Sequence, residues 1–316
     1  MNKKQTAIVF GITKELTFAL ANVIMGIKKY SPTFADEIII FHDGILSKDK
    51  EIISNILLCR FIEYEFPIKD KGKFDPFFFN QFSSMAYSRF ECFNLLKEFK
   101  NVIWLDVDIL IQKDISGLMD YSKTGFGILP GDLLKHNLIE PIEGFDMNKL
   151  GYWTGTIIFT DALKDYEKMT EWCYQKLEEY ASKLYLPDQA IINILIMAFN
   201  IEVMEIDKDI YCAHPIAPNV KDAIIVHSYR PKKFWNCWKF KEWDENNKKW
   251  LKMNGTPYNG KRCNFFYRWI EKHYPGAPNP VRKPRNFVKF VIQMTFNNPY
   301  KNFNEINEQK RENLNG

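Results

Sequence analysis

Paired cysteines, long apolar runs and nucleic-acid signatures are what this sequence does without. Its six cysteines, Cys59, Cys92, Cys173, Cys212, Cys237 and Cys263, are scattered, and none stands in a C-x-x-C pair. That spacing argues against a zinc ribbon or a disulfide framework and for the reduced thiols of a cytoplasmic protein. The longest strongly apolar stretch, residues 190–199, is half of the ~20 residues needed to cross a bilayer, so no transmembrane helix is expected. The opening MNKKQTAIVFGITKEL has a basic tip but too brief an apolar run for a signal peptide. No RNP, KH or zinc-finger pattern occurs, which weighs against nucleic-acid binding, and nothing resembles the glycine-rich start of a nucleotidyltransferase.

What remains is a chain of 316 residues, 46% hydrophobic, large enough for one substantial α/β domain with an appendage. The net charge of +4 hides an asymmetry. Residues 228–316 hold 19 of the 43 Lys and Arg but only 7 of the 39 Asp and Glu, a local +12 against −8 for residues 1–227. An acidic body of residues 1–235 and a basic, aromatic-rich region of residues 236–316 are therefore expected. Within the second region Arg282, Lys283, Arg285 and Lys289 precede FVIQMTF. Two readings of that element are open: it rests on an anionic membrane surface, or it is a solvated terminal helix. The many aromatic rings of residues 236–276 are expected in part to pack back on the body, since exposed together they would form an aggregation-prone patch.

Along the body, residues 7–10 (AIVF), 37–41 (EIIIF), 60–66, 102–105, 126–129, 152–159 and 223–226 read as strands. Helices are predicted at 16–29, at 47–58 with Ser47 as its cap, at 83–99, at 162–180, and at 190–199 with Asp188 suited to its N-cap. Residues 75–80 (DPFFFN) form an aromatic loop. The alternation predicts an α/β fold with a mostly parallel sheet covered by helices, in which ligands bind beyond the carboxyl ends of strands.

Such an end carries Asp106-Val107-Asp108, directly after the buried run VIWL. If the chain is still extended there, both carboxylates leave one face, and a buried pair of that kind needs a cation, a proton or a basic partner. A hard divalent cation with a bound phosphate would serve. The pattern also arises by chance, and its second copy, Asp207-Lys208-Asp209, reads as a solvated strand end or turn. His227 stands where another strand ends; alone it would read as a hydrogen-bonded structural histidine. Arg89, on a predicted helix, is either an exposed arginine or a group that reaches a phosphate or carboxylate. Gln189, just inside a helix start, has no capping task.

Taken in order, five pieces resemble the retaining glycosyltransferases of family 8: Ala86-Tyr87-Ser88-Arg89, VIWLDVDILI with Asp114 and Leu118, WTGTIIF, PDQAIIN and HSYRPKKFW. The resemblance covers roughly residues 7–235. It implies a GT-A-type, Rossmann-like mixed sheet and a metal-dependent transfer of a hexose from a nucleotide sugar to a saccharide acceptor. By the same resemblance Asp106, Asp108 and His227 coordinate Mn²⁺, or Mg²⁺ in its place. Lys233 contacts a donor phosphate, Arg89 holds the donor sugar or diphosphate, and Asp188 and Gln189 are the catalytic pair at the sugar. Thr13, Asp106 and Thr154 fall at donor-binding positions.

Some positions depart from the family. Thr13-Lys14-Glu15-Leu16 replaces an acidic–Asn–Tyr segment that holds the base, and Thr154-Gly155-Thr156 replaces Asn-Ala-Gly. Ala190 stands where an acid often follows the Asp-Gln pair, Arg230 where a glycine is usual, and Phe234 where a proline is usual. With the metal set and Lys233 intact, these changes point to altered donor or acceptor preference. The expected donor is UDP-galactose or UDP-glucose. The expected acceptor is a surface glycan or lipooligosaccharide, in lipopolysaccharide biosynthesis. The expected location is the cytoplasm or, peripherally, the cytoplasmic face of the inner membrane. A nonenzymatic sugar-nucleotide binder and a nucleic-acid binder acting through the basic tail are the alternatives.

Overall fold

Apolar runs at the start of the chain form the centre of the sheet. Strand β1 (Lys4–Ile12) is buried along most of its length and pairs in parallel with β2 (Glu37–His42) on one side and β4 (Phe99–Leu105) on the other. β3 (Cys59–Glu63) adds in parallel outside β2. Beyond β4 the sheet changes direction. β7 (Leu150–Thr160) runs antiparallel to both β4 and β6 (Phe126–Leu133), and the short β8 (Met204–Glu205) closes the edge parallel to β6. The order β3-β2-β1-β4-β7-β6-β8 makes a seven-stranded mixed sheet. A second sheet pairs β5 (Ile109–Ile111) antiparallel with β9 (Ile225–His227).

The computed structural model describes residues 3–74, 83–229 and 231–263, with 266, 268–270, 285 and 288. The aromatic loop at residues 75–80, Arg230 and the FVIQMTF element lie outside them.

Helices α1 (Thr17–Tyr30), α2 (Ser47–Ile56), α3 (Glu91–Leu95), α4 (Tyr166–Glu179) and α5 (Pro187–Ala198) accompany the sheet. One continuous core joins β1, β2, β4, β6 and β7 to α3, α4 and α5, with Trp104, Phe90, Phe93, Phe126 and Phe159 among its largest buried side chains.

Several sequence expectations need correction. The single helix at 83–99 is a 3₁₀ segment, Ser84–Phe90, followed by the short α3, and Phe99 already belongs to β4. Met85, Tyr87, Ser88, Arg89 and Phe90 are all buried in the 3₁₀ segment. Ser47 is the first residue of α2, with Leu46 at its N-cap and no side-chain cap bond. α5 starts earlier than its apolar run: Pro187 occupies the first turn and Leu186 the N-cap, so Asp188 lies inside the helix. Asp207 is itself a cap, accepting from Asp209 N at 2.9 Å at the start of α6 (Lys208–Tyr211).

The chain divides into two units, Met1–Trp235 with Lys239–Gly260, and Asn236–Trp238 with Lys261–Gly316. The first takes in α7 (Lys241–Lys252), held to α1 by Asn22 Nδ2 donating to Trp243 O at 3.2 Å and by a Lys29–Glu242 ion pair at 2.7 Å. Trp243 and Trp250 are thereby buried, and Trp250 donates its indole N–H to Thr256 O at 2.8 Å. In the second unit Cys263 N donates to Asn236 O at 2.6 Å. No helix among the described residues is long and apolar enough to cross a membrane.

Candidate active site

β1 and β4 are neighbours in space, but the chain leaves β1 toward β2 and β3 before returning to β4. This is the point in a doubly wound sheet where a crevice opens beyond the strand ends. Asp106 follows β4 directly, and Asp108 precedes β5. The small sheet brings His227 to them: the register pairs His227 with Ile109, and His227 Nε2 lies 2.9 Å from Asp108 Oδ1 and 3.8 Å from Asp106 Oδ2. One ligand atom from each of the three residues falls within 4.8 Å of the others. Two carboxylates and an imidazole, converging at that spacing, fit a single divalent cation.

The acids are heavily compensated. Lys233 Nζ donates to Asp108 Oδ2 at 2.5 Å and to Ser228 O at 2.9 Å, while Ser228 Oγ donates to Asp108 O at 2.9 Å. Burial alone would push the Asp108 carboxyl up, but His227 and Lys233 outweigh it and hold Asp108 well below the usual carboxylate range. Asp106 goes the other way. Burial raises it, Asp108 adds to that, and Arg89 only partly offsets the two. For His227 burial favours the neutral ring, yet the adjoining Asp108 carries it well above the ordinary imidazole value.

Arg89 joins this cluster to the start of α5. Its side chain is 6% exposed; Nη2 reaches Asp106 Oδ1 at 3.2 Å, and Nη1 reaches Asp188 Oδ2 at 2.6 Å and Thr154 O at 3.1 Å. It also lies over the Trp104 ring, 4.9 Å from the centroid. Thr154 Oγ1 donates to Asp188 Oδ2 at 3.1 Å. Gln189 sits alongside, its amide nitrogen donating to Asn137 Oδ1 at 2.8 Å, which leaves its oxygen as an acceptor. Thr13 follows the carboxyl end of β1, next to β4 in the sheet, and the adjoining Lys14 N donates to Asp43 Oδ1 at 2.7 Å. Among the described residues no hydrogen bond joins Thr13 to the carboxylates.

β7 contributes a bulge. Ile128 pairs with Ile157 but Leu129 with Trp153, so residues 154–156 are skipped in the pairing with β6, while Thr156 still pairs with Leu105 of β4. Gly155 O accepts from Asp106 N at 2.9 Å, and a β-carbon on Gly155 would come within 2.5 Å of His227 Cε1. Only glycine lets strand and histidine approach that closely.

The profile of glycosyl transferase family 8 matches residues 7–239. The chain belongs to glycosyltransferase family 8. Its solved structural neighbours agree on the fold of this glycosyltransferase. The galactosyltransferase LgtC, solved with donor and acceptor sugar analogs, has a TM-score of 0.54 at 16% identity, with 78% of this chain and 99% of that chain covered. The bifunctional glycosyltransferase WbbM gives 0.56 at 13% identity, over 80% and 52%. GlyE of Streptococcus pneumoniae TIGR4 gives 0.51 at 13%, over 81% and 65%. No curated protein sequence matches significantly.

Four contributors to the site escape sequence reasoning. Trp104 donates its indole N–H to Asp106 Oδ1 at 3.0 Å, Cys212 Sγ lies 3.3 Å from His227 Nδ1, Asn137 holds Gln189, and Gly155 makes room for His227. Two of them had a sequence signal that could have been followed: Trp104, two residues before Asp106, and Gly155, within the Thr154-Gly155-Thr156 stretch that departs from the family.

Proposed function

We propose that this glycosyltransferase is a retaining, metal-dependent hexosyltransferase that moves a hexose from a nucleotide sugar, UDP-galactose or UDP-glucose, to a saccharide acceptor. One observation carries this: Asp106, Asp108 and His227 converge within 4.8 Å at the strand ends, and Arg89 ties that group to Asp188, next to Gln189.

In this assignment Asp106, Asp108 and His227 hold Mn²⁺ or Mg²⁺. An ion held there would supply positive charge for the donor diphosphate and for the negative charge that develops as it leaves. Lys233 supplies a further cation at the same phosphates. Thr13 and Thr154 line the donor site. Arg89 holds Asp106 and Asp188 in place from beneath the donor. Gln189 is a poor nucleophile, so attack occurs on the face that the diphosphate leaves. The acceptor hydroxyl oxygen bonds to the anomeric carbon as the carbon–phosphate oxygen bond breaks, and the hydroxyl proton passes to the departing phosphate oxygen. Gln189 directs its amide oxygen toward the anomeric centre, its orientation set by Asn137.

The test is a thermal-shift panel of UDP, GDP, CMP and TDP sugars, each with and without Mn²⁺, on wild type and Asp108→Ala. Stabilisation by one nucleotide sugar that needs the metal and disappears in the variant supports the assignment. No shift with any of them overturns it in favour of a nonenzymatic role. The basic region of residues 236–316 suits the anionic surface that a lipid-linked acceptor would occupy; failure to bind anionic liposomes at low salt removes that part.

A further inference from the structure

The two oxygens of Asp106 lie in different surroundings. Oδ2 faces His227, 3.8 Å away, and a β-carbon on Gly155 would lie 3.3 Å from it. Oδ1 points into the protein, where it accepts from Trp104 Nε1 at 3.0 Å and from Arg89 Nη2 at 3.2 Å. A carboxylate with two donors on one oxygen keeps a single oxygen for the crevice and loses its freedom to rotate.

The Trp104 side of this clamp is built with unusual care. The residue is 1% exposed, in β4 two positions before the acid it serves. Strand alternation would put Trp104 and Asp106 on one face, and the 3.0 Å bond confirms that they share it. The ring lies against Gly11 of β1, where a β-carbon would stand 2.6 Å from Trp104 Cη2, so the neighbouring strand leaves space for an indole. Its face carries the Arg89 guanidinium at 4.9 Å. One side chain thus orients Asp106 directly and seats the arginine that orients it a second time. Burial of a tryptophan N–H without a partner is costly, so the bond to Asp106 also fixes the ring.

We infer that Trp104 is a positioning residue for the metal: its indole N–H holds Asp106 Oδ1 and thereby presents Oδ2 alone, as a monodentate ligand, to an ion shared with Asp108 and His227. The inference rests on the metal-site assignment above and adds the group that gives the site its geometry. Trp104 does not touch the ion or the donor; it acts through Asp106.

The experiment measures Mn²⁺ affinity by electron paramagnetic resonance on the full chain, without any nucleotide sugar. Four proteins are compared: wild type, Asp108→Ala, Trp104→Phe, and a protein with β-(3-benzothienyl)alanine at position 104. That last side chain keeps the size and the ring face over Arg89 and removes only the N–H. Melting temperatures are taken in parallel, because Trp104→Phe also leaves space in the core. The expected result is that the benzothienyl protein melts close to wild type but binds Mn²⁺ roughly 10–100-fold more weakly, the range found when an outer hydrogen bond to a metal ligand is removed. Trp104→Phe is expected to lose at least as much. If wild type and Asp108→Ala differ but the benzothienyl protein binds within twofold of wild type, Trp104 is only a core residue and the inference is wrong. If wild type binds Mn²⁺ no better than Asp108→Ala, the metal site itself is wrong and the inference falls with it.

Discussion

Replacing Gly155 by alanine is the most economical perturbation of the candidate site, because it adds one methyl group and removes nothing. The added carbon would lie 2.5 Å from His227 Cε1, 3.1 Å from Nδ1 and 3.3 Å from Asp106 Oδ2. Carbon atoms settle at about 3.5–4.0 Å, so something must move by roughly 1 Å. The strand resists, since Gly155 O is bonded to Asp106 N at 2.9 Å. The histidine backbone resists too: His227 N donates to Ala213 O at 2.8 Å, and β9 is paired with β5. What yields is the imidazole ring, which swings from its 2.9 Å contact with Asp108 and its 3.3 Å contact with Cys212. Overpacking of this kind costs about 1–3 kcal/mol of stability. Disturbing the groups that orient a metal ligand typically costs about 10–100-fold in metal affinity, and here the ligand itself is displaced. Gly155→Ala should therefore fold, melt somewhat lower, and bind Mn²⁺ about 100-fold more weakly in a resonance titration. Wild-type Mn²⁺ affinity in a folded Gly155→Ala protein would refute the geometry, because no arrangement with His227 as a ligand leaves room for that methyl.

On the proposed mechanism, in which the amide acts on the reacting centre rather than on the nucleotide, Gln189→Ala should lower kcat by on the order of 10²-fold while the donor dissociation constant stays within a fewfold; an unchanged kcat would remove it from the mechanism. Arg89→Met leaves Asp106 and Asp188 without their shared cation, and breaking a buried ion pair from one side costs about 3–5 kcal/mol, to be read from urea denaturation. A loss below 1 kcal/mol would mean that the bridge is structurally idle. Asp114 is held below the usual carboxylate range chiefly by hydrogen bonds from Ser116 and Ser31. A depressed folded value contributes stability that is present above the unfolded value of about 3.9 and is lost as pH falls through the folded one. The stability gap between wild type and Asp114→Asn should thus shrink below pH 4 in chemical denaturation, and a gap that widens there contradicts the assignment.

How legible the molecule was depended on whether a signal was local. The strands near residues 7–10, 37–41 and 102–105 could be read because strands buried on both faces must be apolar throughout. Asp106 stood out because a carboxylate ends such a run. The second Asp-x-Asp, read from sequence as a solvated strand end or turn, stands at the start of a short helix that Asp207 caps. Where tertiary contacts decide, the pattern misleads. Asp188 has the chemistry of an N-cap, but Pro187 already fits the first helical turn and the Asp188 carboxylate is taken by Arg89 at 2.6 Å. The 3₁₀ course of residues 84–90 and the burial of Arg89 within it are likewise not encoded in helical periodicity. Trp104 read as a core residue, which it is; that its one polar atom serves Asp106 depends on how the strand end bends.

The separate two-stranded sheet explains how a site can draw on residues so far apart and still be accurate. Asp108 and His227 are 119 residues apart in sequence, and a loop could bring them together only loosely. Here the register of β5 against β9 does it: Ile109, Leu110 and Ile111 pair with His227, Val226 and Ile225, and Ser228 N then bonds Asp108 O at 3.0 Å. A slip of one residue would turn His227 to the opposite face, so the apolar pairs that fix the register also fix the candidate ligand. On the other flank Asp106 is fixed by the pairing of β4 with β7, through Gly155. The candidate ligands therefore stand at the ends of strands from two separate sheets. Arg89 and Trp104 hold Asp106 from beneath, and Lys233 holds Asp108 from the side. A cleft walled this way keeps its carboxylates apart by backbone hydrogen bonds, and each wall can be tested by a substitution that leaves the other in place.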